Sequence, residues 1–163
     1  MPYYIDKNKY KNYNLVNKYK EIIMEEIITN NLDETYDFAK NFLSKITPPC
    51  VITLTGDLGA GKTAFTKALA KAMGINSVVT SPTFTLMNEY DEGIYPLYHF
   101  DMYRIENPED IYELGFYDYF ESKDAIIVCE WPQVIDGLLP KKGYDITIKK
   151  LGETSRKFII NKR

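Results

Sequence analysis

One short stretch of the sequence combines the residue types that bind a phosphate chain. Gly56 is followed, after four residues, by Gly61, Lys62 and Thr63, and this spacing matches the P-loop pattern in full. Glycine lets main-chain N–H groups turn inward around phosphate oxygens, lysine supplies a cation for the β- and γ-phosphates, and the threonine hydroxyl can bind Mg²⁺. The stretch therefore predicts a site for a nucleoside triphosphate with magnesium.

The predicted nucleotide-binding segment runs from the loop into the helix that follows it. That helix aims the positive end of its dipole at the anion. The segment consists of Gly56, Gly59, Ala60, Gly61, Lys62, Thr63 and Ala64. Ala64 stands where many P-loops carry a second hydroxyl, but its backbone N–H remains available to the α-phosphate.

Two acidic residues at the ends of predicted strands are candidates for anchoring the metal. Glu130 ends the apolar run AIIVCE, and Asp101 ends YPLYHFD. A P-loop site needs an acid in this position. His99 shares a strand face with Asp101, and both are candidates for lining the γ-phosphate site. The alternatives are a histidine bonded to a backbone carbonyl and a salt-bridged Glu130. Trp131, directly after Glu130, fits a partner contact or plain packing equally well.

The arginines narrow the class of activity. The chain has Arg104, Arg156 and Arg163, and only Arg104 is expected near the site. Small-molecule P-loop kinases clamp a charged transition state with several arginines on a closing lid, and no such insertion is present. We therefore expect slow hydrolysis unless a partner completes the site, since an arginine finger contributes roughly 10³–10⁵ in rate. The sequence lacks the N-K-x-D motif that recognises guanine in regulatory GTPases, so we expect ATP as the nucleotide.

Local patterns indicate the elements that must position these residues. A helix is expected from Asn30 or Asn31 to the Pro48-Pro49 pair, a buried strand over CVITLT, and a helix from Lys62 to Gly74. A hairpin follows around DEG, then a helix over 107–120, a strand over AIIVCEW and a terminal hairpin. Residues 15–28 fit either a helix or, in part, a strand. The order predicts an α/β, P-loop-like three-layer fold with a mixed, mainly parallel sheet, an inserted β-hairpin and a C-terminal β-hairpin.

Composition sets the domain organisation. Residues 1–25 form a Lys/Tyr/Asn-rich N-terminal arm, and 26–163 form a single P-loop NTPase domain. The arm is either a loose tail or a contact for RNA or an acidic partner. A net charge of −3 argues against a broad basic nucleic-acid face. Cys50 and Cys129 lie in apolar runs and are expected as buried free thiols. Without a signal peptide or a membrane-length apolar run, we expect a cytoplasmic protein with no membrane contact.

Several stretches together resemble the TsaE family, the ATPase subunit of the bacterial machinery that makes threonylcarbamoyladenosine in tRNA. They are GDLGAGKTAF, TSPTFTLMNEY, YHFDMYR, PEDIYELGFYDYF and CEWP, in this order. The resemblance implies ATP and Mg²⁺ as cofactors and slow ATP hydrolysis. It also implies action with a TsaD–TsaB heterodimer, and contact with tRNA only through that complex. The ATP cycle would support repeated turnover, while TsaD performs the transfer.

The resemblance also implies roles for individual residues. Lys62 and Thr63 would hold phosphates and magnesium, Glu130 would be the second metal-side acid, and Asp101 would position the attacking water or the metal shell. A nucleotide-sensing switch loop would contain Ser81, Thr83 and Thr85. Residues 29–35 would border the base. We name Trp131, His99 and Arg104 as possible partner contacts.

Two other functions remain open at this point. One is an independent P-loop kinase for a small hydroxyl compound, and the other is a nucleotide-gated binding module with negligible hydrolysis. Glu130→Ala would separate the binding module from the ATPase.

Overall fold

A computed structural model describes residues 24–163, so the predicted N-terminal arm lies outside the described residues except for its last two. The strands are β1 (Met24–Thr29), β2 (Cys50–Thr55), β3 (Met87–Tyr90), β4 (Leu97–Asp101), β5 (Ile126–Glu130), β6 (Gly143–Lys150) and β7 (Arg156–Lys162). The helices are α1 (Leu32–Leu43), α2 (Lys62–Ala72), α3 (Glu109–Glu113), α4 (Tyr117–Phe120) and a 3-10 helix over Pro132–Leu138.

The seven strands form one mixed sheet in the order β1-β7-β6-β2-β5-β4-β3. The four central strands, β6, β2, β5 and β4, are parallel to one another. Antiparallel pairs flank them on both sides: β3 with β4, and β6 with β7 and β7 with β1. The fold class and both hairpins are thus confirmed. The predicted "inserted" hairpin is an extension of the sheet, because β4 also pairs with β5.

Two apolar clusters cover the two faces of the sheet. One joins α1 and α2 to the sheet and includes Phe38, Phe65 and Phe158. The other joins α3, α4 and the 3-10 helix to the opposite face and includes Phe100 and Ile135. Strand β5 serves both clusters, because its successive side chains alternate between the faces. The result is the predicted three-layer arrangement.

The start of helix α1 follows the sequence signal closely. Asn31 has extended backbone, and its side-chain oxygen accepts a hydrogen bond of 2.9 Å from the Glu34 N–H. The Glu34 carboxylate accepts in return from the Asn30 N–H at 2.8 Å. The first bond satisfies an N–H group that the helix itself leaves free, and the second ties the residue before the cap to the first turn of the helix. The undecided segment before Asn30 is a strand from Met24, and residues 15–23 lie outside the described part.

The single helix predicted over 107–120 is wrong. Helix α3 ends after Glu113, and α4 begins at Tyr117. Gly115 between them has a φ of +72°, which interrupts the helical path. The 3-10 helix after β5 was not predicted. Cys50 and Cys129 are both buried and unbridged, as expected. Among the described residues, no helix has the length and apolarity needed to cross a membrane.

Candidate functional site

The predicted site residues meet at the carboxyl edge of the parallel strands. In the sheet register Glu130, the last residue of β5, lies opposite Leu54 of β2 and Asp101 of β4. The glycine loop leaves β2 at this same edge. In open α/β sheets ligands bind outside the carboxyl ends of the strands. The register therefore brings both candidate acids beside the loop.

The loop requires glycine for two different reasons. A Cβ on Gly56 would lie 2.5 Å from the backbone oxygen of Ile148 in the neighbouring strand β6. Gly59 and Gly61 have φ angles of +78° and +109°, which residues with a Cβ rarely adopt. Gly61 is also the N-cap of α2, and no side chain caps it. The first N–H groups of α2 are therefore available to an anion.

Lys62 lies inside the loop, with only 5% of its surface exposed. Its Nζ donates hydrogen bonds to the backbone oxygens of Gly56, at 2.7 Å, and Asp57, at 3.1 Å. It lies 4.1 Å from the centre of the Trp131 ring. Burial lowers the pKa of Lys62, and the nearby Glu130 carboxylate opposes that change. The loop thus holds the ammonium group at the place where a phosphate chain would be bound.

Glu130 connects the loop to strand β4. Its Oε1 atom accepts a hydrogen bond of 2.9 Å from the Thr63 hydroxyl. The same oxygen lies 2.9 Å from Nε2 of His99. His99 and Glu130 are both buried. Consecutive hydrogen bonds therefore connect the Thr63 hydroxyl, the Glu130 carboxylate and the His99 imidazole.

Asp101 holds the segment that the resemblance identifies as a switch loop. Its Oδ2 accepts from the Thr83 hydroxyl at 2.7 Å and from the Ser81 hydroxyl at 3.4 Å. Its Oδ1 accepts from the Tyr103 N–H at 2.9 Å. Thr85 is turned away and bonds to Asn88 at 3.1 Å. Asp101 therefore tethers the loop through Ser81 and Thr83, and not through Thr85.

These groups line a cavity of about 450 Å³. Its lining includes Gly61, Lys62, Thr63, Ser81, Thr83, Asp101, Glu130, Trp131 and Arg156. No group of three or more His, Cys, Asp or Glu side chains within residues 24–163 is arranged to hold a metal unaided. The Thr63 hydroxyl and the Glu130 carboxylate suit Mg²⁺, which commonly takes few protein ligands and completes its shell with phosphate oxygens and water.

Arg156 is the residue that sequence reasoning missed. Its Nε donates to the backbone oxygen of Ala60 at 2.7 Å, and it lines the cavity. Arg156 is opposite Lys150, at the end of β6, and β6 runs beside β2. The only sequence signal was an arginine at the start of the last strand. The order of the strands places this arginine beside the glycine loop.

A smaller cavity of about 200 Å³ adjoins the loop on the side of α1. Asn31, Leu32 and Thr35 line it together with Gly61 and Arg156. This is the region that the resemblance assigns to the nucleotide base. The cavity lies beside the N-terminus of α2.

Of the three possible partner contacts, His99 is buried, whereas Arg104 is exposed but lies away from the cavity near which it was expected. His99 is completely buried behind Glu130, so it lines neither the cavity nor a surface. His99 lies on the face of β4 that it shares with Leu97 and Asp101, and all three side chains are buried there. Arg104 does not line the cavity, and its guanidinium lies 4.4 Å from the ring of the exposed Phe84. Trp131 covers Lys62 and has a φ of +55°, an unusual conformation for a bulky residue.

Comparisons with known proteins agree with this geometry. The family model "Threonylcarbamoyl adenosine biosynthesis protein TsaE" matches residues 29–158. The tRNA threonylcarbamoyladenosine biosynthesis protein TsaE of Bacillus subtilis is 44% identical over 128 residues, which cover 78% of this chain and 79% of that protein. The TsaE protein of Rickettsia prowazekii is 40% identical, over 82% of this chain and 92% of its own.

A solved structure gives the same result for the fold. The crystal structure of Bacillus subtilis YdiB superposes with a TM-score of 0.72 at 37% identity, and the match covers 86% of each chain. The family match spans the glycine loop, both acids and Arg156. The chain therefore belongs to the TsaE family.

Proposed function

We propose that this protein binds ATP with Mg²⁺, hydrolyses it slowly, and thereby supports turnover of a TsaD–TsaB complex that makes N6-threonylcarbamoyladenosine in tRNA. Family membership supports the role in this tRNA modification. The proposal keeps the protein in the cytoplasm, and its contact with tRNA is through the complex. The observation that carries the ATPase part is the meeting of Lys62, Thr63 and Glu130 at the uncapped start of α2.

The proposed chemistry assigns a task to each of these groups. The loop N–H groups and Lys62 bind the phosphate chain, and Lys62 exchanges two backbone oxygens for phosphate oxygens. The Thr63 hydroxyl, which donates to Glu130 in this structure, would turn its oxygen toward the metal. Bound Mg²⁺ would supply electrostatic stabilisation of the charge on the phosphates. Trp131 and Tyr103 line the cavity beside these groups, with their ring centres 5.2 Å apart.

The arginines support slow hydrolysis by the isolated protein. All three arginines of the chain are within residues 24–163, and each guanidinium is already engaged. Arg156 donates to four backbone oxygens, those of Ala60, Gly152, Glu153 and Ser155. Arg163 forms a 3.0 Å salt bridge with Asp145, and Arg104 stacks on Phe84. Of the three arginines only Arg156 lines the cavity, so a further cation for a transferring phosphoryl group would come from a partner.

The experiment mixes this protein with purified TsaD and TsaB and follows complex formation and ATP hydrolysis, with and without ATP and Mg²⁺. We expect assembly that requires ATP, and hydrolysis that is much faster in the mixture than with this protein alone. Glu130→Gln is the matched variant, because it keeps the shape and removes the charge. It should bind ATP, assemble, and lose hydrolysis together with repeated formation of modified tRNA.

Two results would contradict the proposal. If the Glu130→Gln mixture makes modified tRNA through many turnovers without hydrolysing ATP, the protein is a nucleotide-gated binding module. If the protein alone transfers phosphate to a small hydroxyl compound at a rate that TsaD and TsaB leave unchanged, it is an independent kinase.

A further inference from the structure

We infer that His99 is a positioning residue, which orients the Glu130 carboxylate for the metal of the bound nucleotide. This inference rests on the proposed function, because it concerns the metal that accompanies ATP. His99 does not touch the cavity, and its whole side chain is buried in strand β4. It acts only through Glu130.

The geometry shows how Glu130 is held. Its Oε1 atom receives the Thr63 hydroxyl from the cavity side and His99 Nε2 from the buried side, each at 2.9 Å. Thr63 is itself a candidate metal ligand, so its hydroxyl reorients when nucleotide and metal enter. His99 has no such second task. We therefore expect it to keep its bond to the carboxylate when the metal is bound.

The state of the imidazole follows from its surroundings. An ionised carboxylate can only accept hydrogen bonds, so the Nε2 atom of His99 carries the proton. Nδ1 is buried without a hydrogen-bond partner among the described residues. Leaving a buried polar atom unsatisfied costs free energy, and an apolar side chain at position 99 would avoid that cost. The single bond to Glu130 is therefore what the polar side chain at this position contributes.

This arrangement resembles the outer partners of metal sites in general. A ligating carboxylate is itself held by hydrogen bonds, and loss of such a partner typically weakens metal affinity about 10–100-fold. His99→Leu should therefore weaken the metal's contribution to nucleotide binding without touching the phosphate loop. His99→Gln should keep it, because the glutamine amide places an N–H near the position of Nε2. His99→Asn is polar too, but its amide ends short of Glu130, and it should behave like the leucine variant.

The experiment measures the affinity for a fluorescent, non-hydrolysable ATP analogue twice for each variant, once with Mg²⁺ and once with EDTA. The dissociation constant in EDTA divided by the dissociation constant with Mg²⁺ gives the coupling between metal and nucleotide. We expect this ratio to fall about tenfold or more in His99→Leu and His99→Asn, and to stay within about twofold of the unaltered protein in His99→Gln. The affinity in EDTA should be the same in all four proteins.

The Gln and Asn pair keeps the test valid if His99→Leu fails to fold, because both variants bury an amide and differ in reach. If the ratio in every folded variant equals that of the unaltered protein, the inference is overturned and the proposed function is left intact. If a variant loses affinity by the same factor in EDTA and in Mg²⁺, His99 supports the loop in general. That result would also overturn the inference. If the unaltered protein binds no analogue at all, the proposed function itself fails.

Discussion

Lys62 illustrates how a single residue is prepared for its ligand before the ligand arrives. Its ammonium group is bonded to two backbone oxygens of its own loop and lies against the Trp131 ring. Burial lowers its pKa, since the charged form is less well solvated there. A triphosphate would favour the charged form and raise the pKa again. Binding of ATP should therefore be linked to protonation of this side chain.

The first prediction follows from this linkage. At about pH 9.5, below the ordinary lysine pKa but in the alkaline range, binding of ATP with Mg²⁺ should take up protons. Isothermal titration calorimetry in buffers of different ionisation enthalpy measures this uptake directly. The uptake due to Lys62 should decrease as the pH falls toward neutrality, because more of the lysine is then protonated before ATP binds.

Lys62→Met is the matched variant for this measurement, since it keeps the length of the side chain and removes the charge. It should show no uptake at alkaline pH. Its ATP affinity should be lower by about 2 kcal/mol or more, about 30-fold. Proton uptake that persists in Lys62→Met would show that another group titrates on binding.

Arg156 and His99 show why residue type was not enough at this scale. Arg156 is a positively charged residue in a terminal hairpin, and sequence alone offered no reason to connect it with a loop that ends near residue 61. His99 was expected at the γ-phosphate because it shares a strand face with Asp101. That reasoning placed His99 on the correct face of the sheet, where it contacts Glu130. It did not predict that the imidazole is completely buried.

At the scale of elements, the glycine loop is constrained by the strand beside it as well as by its own turns. Gly56 lies where β2 passes the backbone of Ile148 in β6. A methyl group there would meet a backbone oxygen, which cannot move without disturbing the sheet. Gly59 meets nothing within 4 Å, and only its φ of +78° disfavours a side chain. The two glycines are therefore required to different degrees.

The second prediction compares alanine at these positions by urea unfolding. Gly56→Ala should lower the free energy of unfolding by about 2–3 kcal/mol, as overpacking at a rigid site does. Gly59→Ala should cost about 1–2 kcal/mol, from backbone strain alone. Gly137→Ala, where the structure leaves open space and normal φ, should change stability by less than about 0.5 kcal/mol.

Binding gives an independent check on the same variants. Gly56→Ala should also weaken ATP binding, because the clash displaces the carbonyl that Lys62 contacts. If Gly59→Ala proved the more damaging of the two in the unfolding experiment, the close approach of β6 to the loop would be wrong.

At the scale of the whole molecule, an aromatic cluster ties the nucleotide loop to the fold. The rings of Phe38, Phe65 and Phe158 lie 4.8–5.6 Å apart between centres, and they belong to α1, α2 and β7. Phe65 is fully buried, less than one helical turn after Lys62. The cluster therefore fixes the direction of α2 relative to the sheet and, with it, the direction of the N–H groups at its start.

The third prediction tests this role. Phe65→Ala should lower the free energy of unfolding by about 3–5 kcal/mol, because it leaves a cavity among three elements. Phe84→Ala removes a ring that is 83% exposed, and should change stability little. The measurement is chemical unfolding at equilibrium, with an unchanged dependence on denaturant as the sign that the folded states are comparable. A small effect at Phe65 would mean that α2 is positioned by its backbone alone.

The sequence by itself determined the features that depend on near neighbours along the chain. The glycine spacing, the Asn31 cap, the buried runs that become β2 and β5, and the terminal hairpin all follow from local chemistry and periodicity. A helix cap and a phosphate loop are each built within a few residues, so the residues that make them can be read directly. Gly115 marks the limit of such reasoning, because its positive φ divides a helix that the local signals would continue.

Only the tertiary structure decided the order of the strands and what that order brings together. Placing β6 beside β2 puts Arg156 against a loop almost one hundred residues earlier, and placing β4 beside β5 puts His99 behind Glu130. Strand pairing of this kind depends on packing both faces of the sheet at once, against two separate layers of helices. That requirement is spread over the whole chain, so no local pattern in the sequence records it.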